Sequence, residues 1–303
     1  MKIIKIICIV FVAAIVATVG GFVIYNEVTT VDFGEIAIEN IPQKSEDTER
    51  IISFNLRCAD DEEGSVKNRS KIALAIIEQY EPDSFGVQEA TGKWMKILNK
   101  NLVEKYACVT QPRSEDPNSE TSAVFYLKDK FELVDSGTIW LSETPDVPYT
   151  KHEDSGCVRI ATWATLKTKG TEKVYTHINT HLDHVSDEAR EFQAEVLNKK
   201  IRELSETGIP VICTGDFNTD RNSAVYKSML EYADDARSVA VISEDGITYH
   251  DYGAKDINDM KYAIDFIFVP KGVTVENYKV INDTAKGMYP SDHYPIVADV
   301  EVA

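Results

Sequence analysis

Acidic, amide and imidazole side chains occur at the ends of apolar, strand-like segments in several separate parts of the chain. Asn55 ends one such segment, and Gln88-Glu89 ends the next. The remaining groups are Asn179-Thr180-His181, Gly215-Asp216-Phe217-Asn218, Asp265 and Ser291-Asp292-His293. Strand ends lead into loops at one edge of a sheet, so these side chains could converge. Carboxylate and amide oxygens bind hard divalent cations, and histidine transfers protons near neutral pH.

Each of these residues, taken alone, also has a purely structural explanation. Asn55 could be a hydrogen-bonding group at a strand end, and Glu89 could cap the helix after it. Asp216 and Asn218 fit an Asx-turn. A core does not need so many ionisable groups, however, because burying an unpaired charge costs several kcal/mol. Their joint occurrence predicts a functional site.

The segments that would position these groups are mostly strands, with fewer helices between them. Apolar residues at helical spacing predict a helix over Lys67–Tyr80, which Pro82 ends because it disfavours helical backbone before it. Further helices are predicted at Gly92–Glu104 and Ser186–Leu204, the latter capped by Ser186. The predicted strands are Ile51–Leu56, Phe85–Gln88, Ala123–Leu127, Phe131–Val134, Thr138–Leu141, Ile160–Lys167, Lys173–His181, Pro210–Thr214, Ala263–Val269, Val273–Ile281 and Tyr294–Val302. Many strands with both hairpin and crossover connections favour two packed sheets flanked by helices.

The N-terminal segment differs from the rest of the chain. Lys2 and Lys5 precede an uncharged apolar run, Ile6–Tyr25, which at about 1.5 Å per residue would span the roughly 30 Å hydrocarbon layer. We predict a transmembrane anchor over residues 1–25, with a cleaved signal segment and a buried core helix as alternatives. Residues 26–48 are predicted as a tether, and 49–303 as one domain. Lysines before the run and acids after it place that domain outside the cytoplasm, or in the medium if the segment is cleaved.

The composition limits the possible partners. The 303 residues include 50 acidic and 32 basic side chains, for a net charge of −18. A protein that holds nucleic acid mainly through phosphate neutralisation should be basic, so nucleic acid is a disfavoured partner. The five cysteines are scattered singly and show no metal-ligand spacing, which leaves both disulfides and free thiols open.

The order of these motifs resembles the endonuclease/exonuclease/phosphatase family. The resemblance extends from about Arg50 to Ala303 and rests mainly on Gly215-Asp216-Phe217-Asn218 and Ser291-Asp292-His293-Tyr294-Pro295. It implies an α/β fold, a four-layer α/β/β/α sandwich with two packed mixed β-sheets flanked by helices. It also implies hydrolysis of a phosphate ester with Mg²⁺, or with Mn²⁺ or Ca²⁺ in its place.

The resemblance further implies a role for each motif residue. Glu89 would bind the metal ion together with Asn55 and Asp292. Asp216 would orient or deprotonate the attacking water, with Asn218 holding water or phosphate. His293, paired with Asp265, would hydrogen-bond the phosphate or carry a proton. His181 would donate to a phosphoryl oxygen or act as acid toward the leaving group.

Three more residues are predicted to bind substrate. Arg159 resembles an arginine that bacterial relatives carry before the strand leading to His181, and a surface salt bridge is its alternative explanation. His250 occupies a Thr-Tyr-His segment similar to one in related sequences. Arg57 stands where abasic-site endonucleases carry an acidic residue, which argues against that repair role. A cation there could instead bind substrate phosphate.

We therefore expect a monomeric, membrane-anchored, metal-dependent phosphoesterase that acts outside the cytoplasm. Its substrate would be a small phosphodiester, a phosphorylated sugar or a phospholipid headgroup. An extracellular deoxyribonuclease-like nuclease using the same residues is the first alternative. A non-catalytic surface binding protein built on the same scaffold is the second.

Overall fold

Strands account for most of the regular structure in the computed structural model, which describes residues 17–18, 21–22, 30–61 and 65–302. The elements in chain order are β1 (Thr48–Asn55), α1 (Val66–Tyr80), β2 (Ser84–Ala90), α2 (Gly92–Leu102), β3 (Tyr106–Val109), β4 (Thr121–Leu127), β5 (Phe131–Trp140), β6 (Ile160–Thr168), β7 (Val174–His181), α3 (Asp187–Ser205), β8 (Val211–Asp216), α4 (Ala224–Met229), β9 (Ala233–Asp235), α5 (Ala236–Val239), β10 (Ala240–Glu244), β11 (Asp265–Pro270), β12 (Val275–Val280) and β13 (Ile296–Glu301). Short 3₁₀ turns at Asp251–Gly253 and Met260–Tyr262 precede β11.

The strands form two mixed sheets that pack face to face. One sheet has seven strands in the order β10-β12-β13-β1-β2-β4-β3, and the other has six in the order β9-β11-β8-β7-β6-β5. Apolar side chains from both sheets, such as Ile51, Leu166 and Ile267, fill the space between them. Helix α3 and helix α4 bury Leu197 and Tyr226 against the outer side of the six-stranded sheet. Helices α1 and α2 contact each other, and α2 contacts β2 of the seven-stranded sheet, which completes the predicted four-layer α/β/β/α sandwich.

The helix boundaries follow the chemistry of the chain. Helix α1 ends at Glu81, whose backbone is left-handed (φ 45°), directly before Pro82. Ser186 caps α3 as predicted, because its side chain accepts a hydrogen bond from the Ala189 amide at 3.1 Å. The two strands predicted at Phe131–Val134 and Thr138–Leu141 are instead one strand, β5, with an irregularity between Leu133 and Asp135 in its pairing to β6.

A buried polar layer joins the two sheets inside the apolar core. His177 lies between Ser84 (2.7 Å) and Thr214 (2.8 Å), and Thr214 in turn donates to Asn179 Oδ1 at 3.0 Å. Asn179 also accepts from Gln88 at 2.7 Å. A Cβ at Gly86 would lie 2.4 Å from both Asn179 Oδ1 and Thr214 Oγ1, so the close approach of the sheets here requires glycine.

The segment before β1, part of the predicted tether, is non-regular and lies against the sandwich. We call residues 32–47 the strap. Its backbone carbonyls at Asn40 and Pro42 accept from Lys279 (2.8 Å) and Arg50 (2.6 Å), and Lys44 forms an ion pair with Asp83. The compact unit that contains both sheets begins at Asp32, ahead of the predicted boundary at residue 49.

The predicted anchor, residues 1–25, lies outside the described residues except for Ala17–Thr18 and Gly21–Phe22. These four residues pair as two short antiparallel strands. None of the helices in the described ranges is long and apolar enough to cross a bilayer. All four described cysteines, at positions 58, 108, 157 and 213, are free thiols.

Candidate active site

Sheet register brings the predicted catalytic residues together at one edge of the sandwich. Asp216, the last residue of β8, pairs directly with His181 on β7 and with Asp265 on β11. On the facing sheet, Asn55 at the end of β1 pairs with Gln88, and Glu89 follows with a left-handed backbone (φ 57°). Residues that are far apart in the chain thus meet because their strands end at the same edge.

A cleft of about 510 Å³ opens at this edge. Eight of its lining residues belong to the predicted site or to the loops beside it: Glu89, Arg159, His181, Asp216, Asn218, Tyr249, Asp292 and His293. Its volume lies in the usual range for small-molecule sites.

Asp216 lies at the buried floor of the cleft. Its Oδ1 accepts from the Asn218 backbone amide at 2.9 Å, and its Oδ2 accepts from the Asn55 side chain at 2.8 Å. Burial and the nearby charge of Asp265 raise the pKa of Asp216, whereas His293 and these hydrogen bonds lower it. The raising effects are larger, so the pKa of Asp216 lies well above its usual range. A carboxylate whose pKa is shifted toward neutrality is suited to take a proton from water.

His293 forms a carboxylate–imidazole pair with Asp265. Its Nδ1 lies 2.9 Å from Asp265 Oδ2, and its Nε2 lies 3.8 Å from Asp216 Oδ2. Burial alone would lower the pKa of His293, but the charges of Asp265 and Asp216 outweigh it and raise that pKa. His293 is therefore an imidazolium at neutral pH.

His181 is neutral, in contrast to the protonated His293. Burial, followed by the charges of Arg159 and Arg113, lowers the pKa of His181 well below its usual range, so the ring is neutral. The Asn218 side-chain amide donates to its Nε2 at 2.9 Å, which leaves the proton on Nδ1. Nδ1 is buried and has no hydrogen-bond partner within the described part of the chain.

Glu89, His181 and Asp216 form a group that could hold a metal ion, and Asp292 lines the same cleft. Burial raises the pKa of Glu89, but the hydrogen bond from the Cys58 amide (2.7 Å), the charge of His293 and the hydrogen bond from Asn55 lower it by more. The net effect is a lowered pKa, so Glu89 is anionic. Ligand atoms of Glu89, His181 and Asp216 lie within 4.8 Å of one another. This oxygen-rich set fits a hard divalent cation.

Asn55 contributes to this set differently from the prediction. Its amide nitrogen donates to Glu89 (3.1 Å) and Asp216 (2.8 Å), while its oxygen accepts from the Arg57 backbone amide at 2.9 Å. In this orientation Asn55 holds the two carboxylates in place. Its predicted role as an oxygen ligand would require the amide to rotate.

Arg57 lies behind Asp292 and does not line the cleft. Its Nε is 3.4 Å from Asp292 Oδ2, and its other nitrogens bond Asp61 and the Tyr252 hydroxyl. The guanidinium also lies over the Tyr252 ring, 4.9 Å from the centroid. The structure therefore places Arg57 as a support for Asp292, where the sequence predicted a phosphate contact.

Arg159 and His250 differ in their access to the cleft. Arg159 lines the cleft and is 4% exposed; it contacts His184 Nδ1 at 3.1 Å, and its Nε has no hydrogen-bond partner in the described ranges. His250 is fully buried and stacks on Tyr294 at 3.9 Å between ring centroids. His250 is therefore not among the residues that line the cleft.

Sequence reasoning did not assign several residues that also line the cleft. These are Cys58, Arg113, Glu120, Cys157, His184 and Tyr249. Cys58 follows Arg57, Tyr249 precedes His250, and His184 lies three residues after His181. The available signal was their position next to recognised motifs, since none of them ends an apolar strand.

Comparison with known proteins follows the same motifs. A family model described as the endonuclease/exonuclease/phosphatase family matches residues 52–293. Nocturnin from Xenopus laevis is 25% identical over 259 residues, which cover 77% of this chain. This chain spans 64% of the length of that relative.

Solved structures share the fold over most of both chains. An endonuclease/exonuclease/phosphatase from Bacteroides vulgatus is 33% identical with a TM-score of 0.77, covering 84% of this chain and 99% of its own. A mannosyl-6-phosphatase from Bacteroides thetaiotaomicron is 28% identical with a TM-score of 0.78. The match covers 83% of this chain and 99% of the mannosyl-6-phosphatase chain.

Proposed function

Since the chain belongs to the endonuclease/exonuclease/phosphatase family and is thus a phosphoesterase, we propose that it hydrolyses a small phosphate ester of a polyhydroxylated alcohol, such as a phosphorylated sugar. The main support is the cleft in which Glu89, Asp216 and Asp292 converge with two histidines in opposite protonation states. The similarity to a mannosyl-6-phosphatase favours this substrate class.

The proposed reaction adds water to phosphorus and releases an alcohol. Asp216 takes a proton from the water while the water oxygen bonds to phosphorus. The bond from phosphorus to the alcohol oxygen breaks at the same time. Protonated His293 lies on the same side of phosphorus as Asp216, because its Nε2 is 3.8 Å from Asp216 Oδ2, and it donates a hydrogen bond to a phosphoryl oxygen. The departing oxygen takes a proton from solvent water, and Asp216 returns its proton to solvent.

The other polar groups bind the phosphoryl oxygens without transferring protons. The guanidinium of Arg159 donates hydrogen bonds to these oxygens, and neutral His181 lines the cleft beside it. Negative charge accumulates on these oxygens in the transition state, where prearranged donors are most effective.

The family is generally dependent on a divalent metal ion, and the donor set here fits one. Glu89 and Asp292 would hold the ion. When bound, it stabilises negative charge on the phosphoryl and departing oxygens. Mg²⁺ is our first candidate, with Mn²⁺ and Ca²⁺ as the alternatives.

A hydrolysis panel tests this proposal. Hexose 6-phosphates, sphingomyelin and plasmid DNA are incubated with the full chain, with Mg²⁺ and with excess chelator. We expect phosphate release from a hexose 6-phosphate that the chelator abolishes. Asp216→Asn should lower kcat/KM by about 10²–10⁴-fold, whereas Asp245→Asn, at a surface ion pair, should not. Hydrolysis of plasmid DNA alone would overturn the substrate assignment in favour of a nuclease.

Localisation is a separate proposal that rests on the sequence. Lys2, Lys5 and the apolar run Ile6–Tyr25 support an N-terminal anchor with the sandwich outside the cytoplasm. We expect the protein in the membrane fraction of intact cells and accessible to added protease. Recovery in the soluble cell extract, protected from protease until lysis, would contradict it.

A further inference from the structure

Beside the carboxylates proposed to hold the metal ion, the cleft contains a second pair of charged groups, which takes no part in the proposed proton transfers. Arg113 and Glu120 form an ion pair at 2.5 Å, and their side chains are 19% and 17% exposed. The pair joins one guanidinium nitrogen to one carboxylate oxygen. Both residues line the cleft and the small cavity that shares Glu89, Arg159 and His181 with it.

The backbone holds this pair in place. The Arg113 amide donates to the Glu120 carbonyl at 3.0 Å, which closes the loop between β3 and β4, and Trp140 donates to the Arg113 carbonyl at 3.0 Å. A pair fixed at the base of a closed loop loses little conformational entropy when it binds a ligand. It is therefore suited to recognition of a defined group.

The location of the pair indicates which part of a substrate it meets. Ligand atoms of Cys58, Glu89 and Glu120 lie within 4.8 Å of one another, so Glu120 is next to Glu89, one of the two carboxylates proposed to hold the metal ion. Arg159 is buried, its Nε has no hydrogen-bond partner among the residues that the structure describes, and it lies on the same small cavity, where it supplies the positive charge for the phosphate. With the phosphate bound by Arg159, the Arg113–Glu120 pair is available to contact the alcohol part of the ester.

We propose that Arg113 and Glu120 form a specificity subsite for neighbouring hydroxyl groups on the leaving alcohol. A carboxylate accepts from one hydroxyl while a guanidinium donates to the next, so the pair matches a polyol and offers nothing to a hydrocarbon. This inference depends on the proposed function and names the group that selects its substrate. Hexose and inositol phosphates both carry such hydroxyls.

Matched substrates with and without hydroxyls test the subsite. Mannose 6-phosphate is compared with cyclohexylmethyl phosphate, and myo-inositol 1-phosphate with cyclohexyl phosphate, which distinguishes the two polyol sources. The measured quantity is the ratio of kcat/KM within each pair. Any effect of Glu120 on the neighbouring metal ligands changes both substrates together and cancels in the ratio.

We expect at least one pair to favour the polyol, and Glu120→Gln and Arg113→Gln each to reduce that ratio by about 10- to 100-fold. Glu172→Gln, at an exposed ion pair with Lys167, is the matched control and should leave the ratio unchanged. A ratio that stays at the control value in both folded variants would overturn the subsite. Failure of the wild-type chain to hydrolyse any of the four esters would overturn the proposed function instead.

Discussion

At the scale of single residues, the site depends on how neighbouring groups set charge. Two histidines at the same edge of the sandwich have opposite states although both lie near Asp216, at 3.5 Å for His181 and 3.8 Å for His293. His293 also pairs with Asp265, whereas burial and the charges of Arg159 and Arg113 keep His181 neutral. The same edge therefore offers one positively charged and one neutral imidazole. Neither state can be assigned from the amino-acid type alone.

Replacing Asp265 should change the pH dependence of the reaction. Asp265 raises the pKa of His293, so Asp265→Asn should lower that pKa and deprotonate His293 at a lower pH. The alkaline limb of the kcat/KM profile should then move down by about 1 to 3 pH units. Asp245→Asn is the control. An alkaline limb that does not move would show that His293 is not the group titrating there.

Replacing Arg57 should weaken metal binding. Arg57 forms an ion pair with Asp292 and is not among the residues that line the cleft, so Arg57→Met should allow that carboxylate to move. We expect the Mg²⁺ concentration for half-maximal activity to rise by about 10- to 100-fold, with activity recovered at high Mg²⁺. Arg221→Met, at the surface ion pair with Asp245, should have no such effect. A loss of activity that added Mg²⁺ does not recover would argue for a direct phosphate contact.

The residue types at the site were predictable from the sequence, but their contacts were not. Asp216, Asp265 and His293 end or precede apolar segments, which is a local signal. The partners of Arg57 depend on Tyr252 and Asp292, which reach it only through the folding of distant loops. For the same reason the orientation of the Asn55 amide could not be deduced in advance.

At the scale of elements, the polar layer between the sheets supports the site. His177, Asn179 and Thr214 belong to the strands that end in His181 and Asp216, and side chains two residues apart on a strand share a face. The layer therefore fixes the separation of the strand ends. The sequence predicted most strands from apolar runs, yet it missed β3, β9 and β10, which are short or mostly exposed.

The layer also predicts how stability depends on pH. Burial lowers the pKa of His177 to about 3, whereas the unfolded chain takes up the proton near pH 6.5. The unfolded state thus binds more protons than the folded state between these two pH values. As the pH is lowered through this range, His177 reduces the wild-type free energy of unfolding by up to about 1.4 kcal/mol per pH unit. The variant His177→Gln lacks this titrating group and therefore this pH dependence. Urea denaturation at pH 7 and pH 5 should show the gap between wild type and variant narrowing at pH 5, and a constant gap would refute the assignment.

At the scale of the whole molecule, one buried ion pair connects the strap, α1 and the seven-stranded sheet. Arg50 bonds Asp299 at 2.7 and 2.9 Å, and also the carbonyls of Tyr80 and Pro42. All of these contacts converge on a guanidinium that is 5% exposed. No local pattern in the sequence indicates this pairing, because β1 and β13 are at opposite ends of the chain.

Breaking this pair should cost much more than breaking a surface pair. Asp299→Asn leaves the Arg50 charge buried without its counter-ion, and we expect a loss of about 3 to 5 kcal/mol in the free energy of unfolding. Glu172→Gln, which breaks the exposed pair with Lys167, should cost at most about 1 kcal/mol. Chemical denaturation of both variants provides the measurement. Equal losses would mean that Arg50 finds another partner or becomes hydrated.

The strap has a consequence for where the chain can be cut. Arg50, Lys279 and Asp83 all depend on partners between Asn40 and Lys44, so a fragment that starts at β1 would lack them. A cut that preserves these contacts must therefore lie ahead of Asn40. A recombinant fragment designed from the strand boundaries alone would be shortened too far.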